Sequence, residues 1–113
     1  MKTSSAKNKG RTLHKLLVKS ILQKFPTLSE HDVRSTSMGA TGVDVLLSSA
    51  SLKLFPFSVE CKNLARIAVY SLYEQAVANK LDGTKALLVI KQNRSNPLVV
   101  LSLEDFMEIY ESR

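Results

Sequence analysis

Three scarcities limit what this chain of 113 residues can be. Cys61 is its only cysteine, which excludes a disulfide within the chain and a zinc site made of several cysteines, and suits a reducing cytoplasm. No acidic residue precedes Glu30, so the front of the chain is wholly basic. Long apolar runs are also missing: Lys15 and Lys19 interrupt residues 13–22, which excludes a secretory signal or a membrane span there.

Charge is unevenly distributed along the chain. The net charge is +6, and the acid-free front contrasts with the last ten residues, where four acids cluster. A basic front favours an anionic partner, of which DNA is the simplest, whereas a merely soluble basic domain is the alternative. A mitochondrial presequence would share these features, but residues 11–24 have the pattern of a helix that belongs to the domain.

Apolar periodicity predicts a single α/β domain, with a small mixed sheet flanked by helices. Helical spacing over residues 11–24 is followed by strand patterns over 43–47 and 57–62, with a short helical turn between them. Asn63 is expected to cap a helix that runs to about Leu81. The remaining elements are a central strand over 85–91, a strand over 98–101 and a last helix capped by Ser102. Residues 1–10 are predicted to be a flexible basic tail, so the domain spans 11–113.

Residues 42–63 carry the most informative pattern. In the second strand, the period of two puts Glu60 and Lys62 on one face and Cys61 on the other. If the two strands pair as a hairpin, Asp44 reaches the Glu60 face, which predicts a metal site with a lysine beside it. The alternative is the solvated face of an antiparallel sheet, although Asp is disfavoured in strands and Asp44 stands within an apolar run.

The order of these elements resembles that of a known group of nucleases. Gly42-Val43-Asp44, a strand with Glu60-Cys61-Lys62 and a following helix are similar to the PD-(D/E)XK nuclease superfamily, in particular its small Holliday-junction-resolvase-like branch. Residues 34–40 and 57–63 resemble the phage-encoded version, and the likeness runs from about residue 9 to residue 110. It implies a restriction-endonuclease-like core and a metal-dependent DNA endonuclease that acts on branched DNA or Holliday junctions, in the host cytoplasm if the chain is phage-encoded.

The resemblance also implies roles for individual residues. Asp44 and Glu60 would hold Mg²⁺ or Mn²⁺ together with the backbone carbonyl of Cys61, and Lys62 would position the attacking water or stabilise the phosphate. Hard oxygen ligands and the lack of a cysteine or histidine cluster favour these ions over zinc. The products would carry a 5′-phosphate and a 3′-hydroxyl.

The sequence departs from the archaeal resolvases in its first helix. The first helix of the archaeal resolvases carries a glutamate that helps to complete the metal site, whereas residues 11–29 of this chain contain no acid. His14 stands near the corresponding place, so His14, a water or a backbone carbonyl would have to substitute; otherwise His14 is a packing residue at the edge of the apolar stripe. Gln75, a polar residue on the stripe of the second helix, is a candidate to support the site or an ordinary rim glutamine.

Several polar residues are candidates to contact DNA. The small residues 35–42 permit close approach of the backbone to a phosphate, and the alternative is an ordinary flexible connection. The candidate DNA-binding residues are Lys7, Lys9, Arg11, Lys15, Lys19, Arg34, Ser35, Ser37 and Arg94.

Resolution of a four-way junction takes paired cuts, so a homodimer with two sites is expected. Its interface would use Leu52, Leu54 and Phe55, or the side of the second helix with Tyr70 and Tyr73. Two other functions stay open: a non-catalytic basic nucleic-acid-binding module with a nuclease-like fold, and a nuclease that acts on other DNA or RNA substrates.

Overall fold

The computed structural model describes residues 3–36 and 43–111, with side chains over 9–36 and 43–110. It confirms the α/β class, because a three-stranded mixed sheet and a two-stranded sheet are flanked by helices. None of the helices in this part of the chain is long and apolar enough to cross a lipid bilayer. The elements in chain order are α1 (Thr3–Lys24), β1 (Val33–Ser35), β2 (Val45–Leu47), α2 (Ser49–Leu54), β3 (Phe57–Asn63), α3 (Val69–Asn79), β4 (Lys85–Lys91), β5 (Leu98–Val100) and α4 (Leu103–Glu111).

Strand β4 is the centre of the larger sheet, whose order is β3-β4-β5. It runs parallel to β3, with Glu60 opposite Leu88, and antiparallel to β5. Its residues 86–90 are all buried, as expected for a strand that is covered on both faces. The predicted strand over 85–91 and its central position are therefore confirmed.

Each face of this sheet has its own apolar core. The odd-numbered residues of β3 pack against α1, where Leu13 is buried. Helix α3 covers the other face through Ala76, which packs with Leu88 of β4. Because side chains alternate across the pleat, Glu60 and Lys62 project to the α3 side, as predicted.

Strand β2 does not pair as predicted. It pairs antiparallel with β1, so the hairpin considered between residues 43–47 and 57–62 does not form. Residues 33–35, which were expected to lead into a loop, form the partner strand instead. Helix α2 lies between β2 and β3, and such a connection is too long for a tight turn that would pair the two strands. Strand β2 still lies next to β3, because the N–H of Asp44 donates to the carbonyl of Val59 at 2.8 Å.

Helix α1 is longer than predicted. It begins at Thr3 instead of Arg11, so residues 3–10 of the predicted tail continue the helix. The carbonyl of Lys9 accepts a hydrogen bond from Nδ2 of Asn63 at 3.2 Å. This contact connects the first part of α1 to the end of β3. Such a contact between distant residues could not be predicted from the composition of residues 1–10.

Helix α3 is shorter than predicted. It spans Val69–Asn79 instead of residues 63–81. Asn63 does not cap it, because the parallel ladder of β3 extends to the pair of Asn63 with Lys91. Strand pairing thus takes priority over the local capping preference of asparagine at this position.

Strand β5 and helix α4 leave apolar side chains exposed. The N–H of Asp105 donates to Oγ of Ser102 at 3.0 Å, which confirms the predicted cap of α4. The sequence pattern predicts that Phe106, Ile109 and Tyr110 face inward. Ile109 does pack on the core, whereas Phe106 and Tyr110 are 43% and 60% exposed. An apolar groove of about 450 Å³ lies between α4 and α1. The exposed residues that form the β5/α4 face are Leu98, Val99, Leu103, Phe106, Met107 and Tyr110.

Candidate active site

Asp44 lies at the edge of β3 that does not face β4. Its N–H donates to the carbonyl of Val59 at 2.8 Å, and its Oδ2 accepts the N–H of Cys61 at 2.6 Å. The N–H and C=O of a strand residue point to the same side, so the carbonyl of Cys61 also points toward this edge. The structure therefore brings the Asp44 carboxylate and the Cys61 carbonyl together, although the strands do not form the predicted hairpin.

Glu60 and Lys62 form the α3 side of the site. Glu60 is 8% exposed, and its Oε2 lies 3.7 Å from Nζ of Lys62. Its Oε1 accepts a hydrogen bond from Nδ2 of Asn79 at 3.4 Å. The side chain of Lys62 is 30% exposed, so its ammonium group extends from a buried carboxylate toward solvent.

The two carboxylates are close enough to influence each other. Burial raises the pKa of Glu60 above its ordinary value, and the charge of Asp44 raises it further, while Asn79 and Lys62 act in the opposite direction. Two neighbouring carboxylates of limited hydration are stabilised by a divalent cation, and carboxylate and carbonyl oxygens are the donors that Mg²⁺ and Mn²⁺ prefer. The residues at this edge of β3 therefore fit a hard divalent ion.

His14 reaches the site from α1. It is 4% exposed, and its Nε2 lies 3.6 Å from Oδ2 of Asp44, which is longer than a hydrogen bond. Its neighbour Leu13 packs in the core between α1 and β3, and this packing sets the position of His14 along the strand. The structure thus places His14 beside the site, where the resemblance implied an acidic residue.

The Cys61 side chain points away from Glu60, into the core against α1. Its sulfur lies within 4.8 Å of ligand atoms of His14 and Asp44. The sequence showed no histidine and cysteine cluster, and only the fold creates this one. Burial, with the charges of Asp44 and Glu60, raises the pKa of the Cys61 thiol far above its usual range. The thiol is therefore protonated at neutral pH, which argues against a nucleophilic cysteine.

The polar residue that α3 contributes to the site differs from the one predicted. Gln75 is exposed, whereas Asn79, four residues later, donates to Glu60. The predicted stripe was wrong at Gln75, because Ala76 is the buried residue of α3. Asn79 lies three residues after Ala76 and therefore on the same face of the helix. Asn79 is the last residue of α3 in the structure. It was missed in the sequence because the predicted helix continued to Leu81.

Comparison with known proteins assigns no function to this geometry. No family model, curated protein or solved structure matches the chain. A functional conclusion must therefore rest on the site's own residues.

A groove that carries two lysines, here called the basic groove, lies between α1 and β1. It encloses about 430 Å³ and is lined by Lys15, Lys19, Ser35 and one acid, Glu30, together with Val18, Leu22 and Gln23. Arg34 is exposed on β1, next to this groove in the chain. Four of the candidate DNA-binding residues thus lie on two adjacent elements.

The other candidate DNA-binding residues are more dispersed. Nζ of Lys9 donates to Oδ1 of Asn93 at 2.7 Å, so Lys9 lies close to the turn that carries Arg94. Arg94 is exposed and has a φ of 62°. Arg11 is exposed on α1, whereas Ser37 and the side chain of Lys7 lie outside the described residues.

We expect Glu60→Gln to stabilise the metal-free protein at neutral pH. The pKa of Glu60 is raised in the folded state, so ionisation of this group costs folding free energy at pH values above its ordinary value of 4.5. Below that pH both the folded and the unfolded chain are protonated, and the cost disappears. The gain in the free energy of unfolding should therefore be present at neutral pH and fade in acid, as measured by urea denaturation in EDTA.

The matched control for this experiment is Glu74→Gln, which changes an exposed carboxylate of α3. It should change the free energy of unfolding by less than about 0.5 kcal/mol. An equal gain in both variants, or a loss of stability in Glu60→Gln at neutral pH, would contradict the electrostatic account of the site.

Proposed function

We propose that this protein is a metal-dependent endonuclease that hydrolyses phosphodiester bonds in DNA, with branched DNA or Holliday junctions as preferred substrates. One observation supports it above all: the Asp44 carboxylate accepts the N–H of Cys61 at the edge of β3, while Glu60 and Lys62 project from the same strand. Two interacting carboxylates, a backbone carbonyl and a partly exposed lysine form a donor set suited to phosphoryl chemistry.

Each of these residues has a distinct task in the proposed reaction. Asp44, Glu60 and the carbonyl of Cys61 would hold Mg²⁺ or Mn²⁺, and such an ion supplies charge relief at the phosphate and a more acidic bound water. Lys62 would donate a hydrogen bond to a phosphate oxygen or to the attacking water, where charge develops in the transition state. Asn79 would fix the orientation of Glu60 through its hydrogen bond at 3.4 Å.

DNA would reach the site across α1 and β1. The groove lined by Lys15 and Lys19 lies on α1, the helix that also carries His14 to Asp44. Cationic side chains beside the site would bind the phosphate backbone without reading sequence. This arrangement supports a substrate that is recognised by its backbone or shape.

A second function also has an observation in its favour. His14 lies next to Asp44 where the resemblance implied a carboxylate, so the site has one acidic donor fewer than that family implies. A basic nucleic-acid-binding module with a nuclease-like fold and no activity would tolerate this change. Hydrolysis of RNA or of simple DNA ends would use the same residues, so substrate comparison has to separate it from cleavage of branched DNA.

Cleavage should depend on three side chains and on a divalent ion. Asp44→Asn, Glu60→Gln and Lys62→Ala should each lower the rate of plasmid nicking in Mg²⁺ or Mn²⁺ by at least about 100-fold, as loss of transition-state stabilisation does. DNA affinity should change little, because the basic groove is intact. EDTA should stop the wild-type reaction.

Lys53→Ala, which removes an exposed lysine on α2, is the control for Lys62→Ala and should nick at the wild-type rate. Near-normal cleavage by any two of the three site variants would refute the site assignment. Binding without nicking in either ion would favour the non-catalytic module.

The basic groove should determine how binding responds to salt. Each phosphate contact contributes a slope of about −0.9 in log K against log[salt], so the double variant Lys15→Gln/Lys19→Gln should make the slope shallower by about 1.8. Fluorescence anisotropy with a labelled duplex at several salt concentrations measures this. Lys80→Gln, at the end of α3, should leave the slope unchanged, and an unchanged slope in the double variant would exclude the groove as the DNA contact.

Symmetric cleavage of a junction would need a second copy of the chain. Strand β5 is at the edge of its sheet, and Leu98 of β5 and Leu103 of α4 are 61% and 76% exposed. A two-fold axis that pairs β5 with its own copy would cover this edge and extend the sheet to six strands. The two β3 strands would then be about 24 Å apart, five strand spacings, with their sites on the same face of the sheet.

This interface replaces the surfaces expected from the sequence. Leu54 is 46% exposed, but its neighbours Leu52 and Phe55 are only partly exposed. Tyr73 is also only partly exposed, and its hydroxyl accepts the N–H of Ser102 at 3.0 Å. Tyr70 is 86% exposed, but it is the only strongly exposed residue of this tyrosine pair. The β5/α4 face contains more exposed apolar residues than either surface expected from the sequence.

The double variant Leu98→Lys/Leu103→Lys should therefore be a monomer at concentrations where the wild-type chain is a dimer, as measured by sedimentation velocity. It should still nick a plasmid but should lose paired, symmetric cuts on a four-way junction with end-labelled strands. Tyr70→Lys should remain a dimer. A wild-type monomer that cuts linear DNA as fast as junctions would leave the nuclease proposal standing and remove the preference for junctions.

A further inference from the structure

Three side chains meet on the side of β3 that faces α1. His14 comes from α1, Cys61 from the core face of β3 and Asp44 from the edge of the strand. One ligand atom of each, an imidazole nitrogen, the sulfur and a carboxylate oxygen, all lie within 4.8 Å of one another. Glu60 and Lys62 project from the opposite face, so this group is distinct from the Glu60–Lys62 pair.

The spacing of these atoms suits ligands of one metal ion. Nε2 of His14 and Oδ2 of Asp44 are 3.6 Å apart, which is too long for a hydrogen bond. Ligand bonds of about 2.0–2.3 Å in a tetrahedral site put neighbouring ligand atoms roughly 3.3–3.8 Å apart. Small side-chain movements would therefore bring all three atoms onto one ion.

The chemistry of the donors selects a different class of ion from the one that carboxylates alone prefer. Imidazole and thiolate are ligands for Zn²⁺ and related transition metals, whereas Mg²⁺ takes oxygen ligands. His14 and Cys61 are 4% and 7% exposed, so both are held in place by packing between α1 and β3. Coordination removes the proton of the thiol, because the ion supplies the positive charge that stabilises the thiolate.

We propose that His14, Asp44 and Cys61 form a binding site for a zinc-class transition-metal ion, with the imidazole, one carboxylate oxygen and the thiolate as ligands. Three protein ligands leave a fourth position of the ion for water or another small ligand. The site needs neither Glu60 nor Lys62.

Cobalt titration of the full-length protein tests this site directly. Co²⁺ in a reduced, metal-free sample should produce the visible bands of a four-coordinate ion and an ultraviolet charge-transfer band from a cobalt–thiolate bond, saturating at one ion per chain. Zn²⁺ should abolish both, whereas excess Mg²⁺ should not. Absence of the charge-transfer band at saturating Co²⁺ would overturn the proposal.

Variants identify the ligands. Cys61→Ser should abolish the charge-transfer band, and His14→Gln should weaken Co²⁺ binding by at least about tenfold, since even loss of a group that supports a ligand costs this much. The chain has one other histidine, and His31→Gln should titrate like the wild type. Glu60→Gln should also retain both bands. Circular dichroism spectra establish that each variant is folded, and a charge-transfer band that persists in folded Cys61→Ser would refute the site.

A consequence for activity rests on the proposed nuclease function. Asp44 belongs to both donor sets, so an ion bound to His14 and Cys61 would compete with Mg²⁺ held by Asp44 and Glu60. Stoichiometric Zn²⁺ should then inhibit Mg²⁺-dependent nicking, and nicking that is unaffected by bound Zn²⁺ would exclude the competition. If the protein does not nick DNA at all, the cobalt titration still decides whether the metal site exists.

Discussion

The hydrogen bond from the N–H of Cys61 to Oδ2 of Asp44, at 2.6 Å, is the interaction on which the site depends. An edge strand presents unpaired backbone groups, and Asp44 satisfies those of β3 with both its own N–H and its carboxylate. The contact holds β2 against the larger sheet although the two strands share no ladder. It also places one carboxylate between the two faces of β3, within reach of Glu60 on one side and His14 on the other.

Burial of the Glu60 carboxylate lowers the stability of the fold. Glu60 is held in a poorly hydrated position beside a second carboxylate, which raises its pKa and costs folding free energy when it is ionised. The apolar cores on the two faces of β3 and β4 support this arrangement, with Leu13, Val59 and Leu88 almost fully buried. Polar groups that are unfavourable for the fold alone are typical of sites shaped for function.

Local patterns predicted a large part of the fold. The strand over 85–91, the cap of α4 and the face shared by Glu60 and Lys62 follow from periodicity and capping, which depend on residues a few positions apart. Helix boundaries were less predictable, because Asn63 has a capping preference that its pairing with Lys91 overrides. Asn79 was missed for a related reason, since its role depends on where α3 ends.

By itself, the sequence determined the α/β class and the face of β3 that Glu60 and Lys62 share, opposite Cys61. Only the tertiary structure decided that β2 pairs with β1, that Asp44 covers the edge of β3 and that His14 and Cys61 meet beside it. The period of a strand is an intrinsic property of its residues. Which edge a strand joins depends instead on competition between distant segments, and so does every contact that crosses from one element to another.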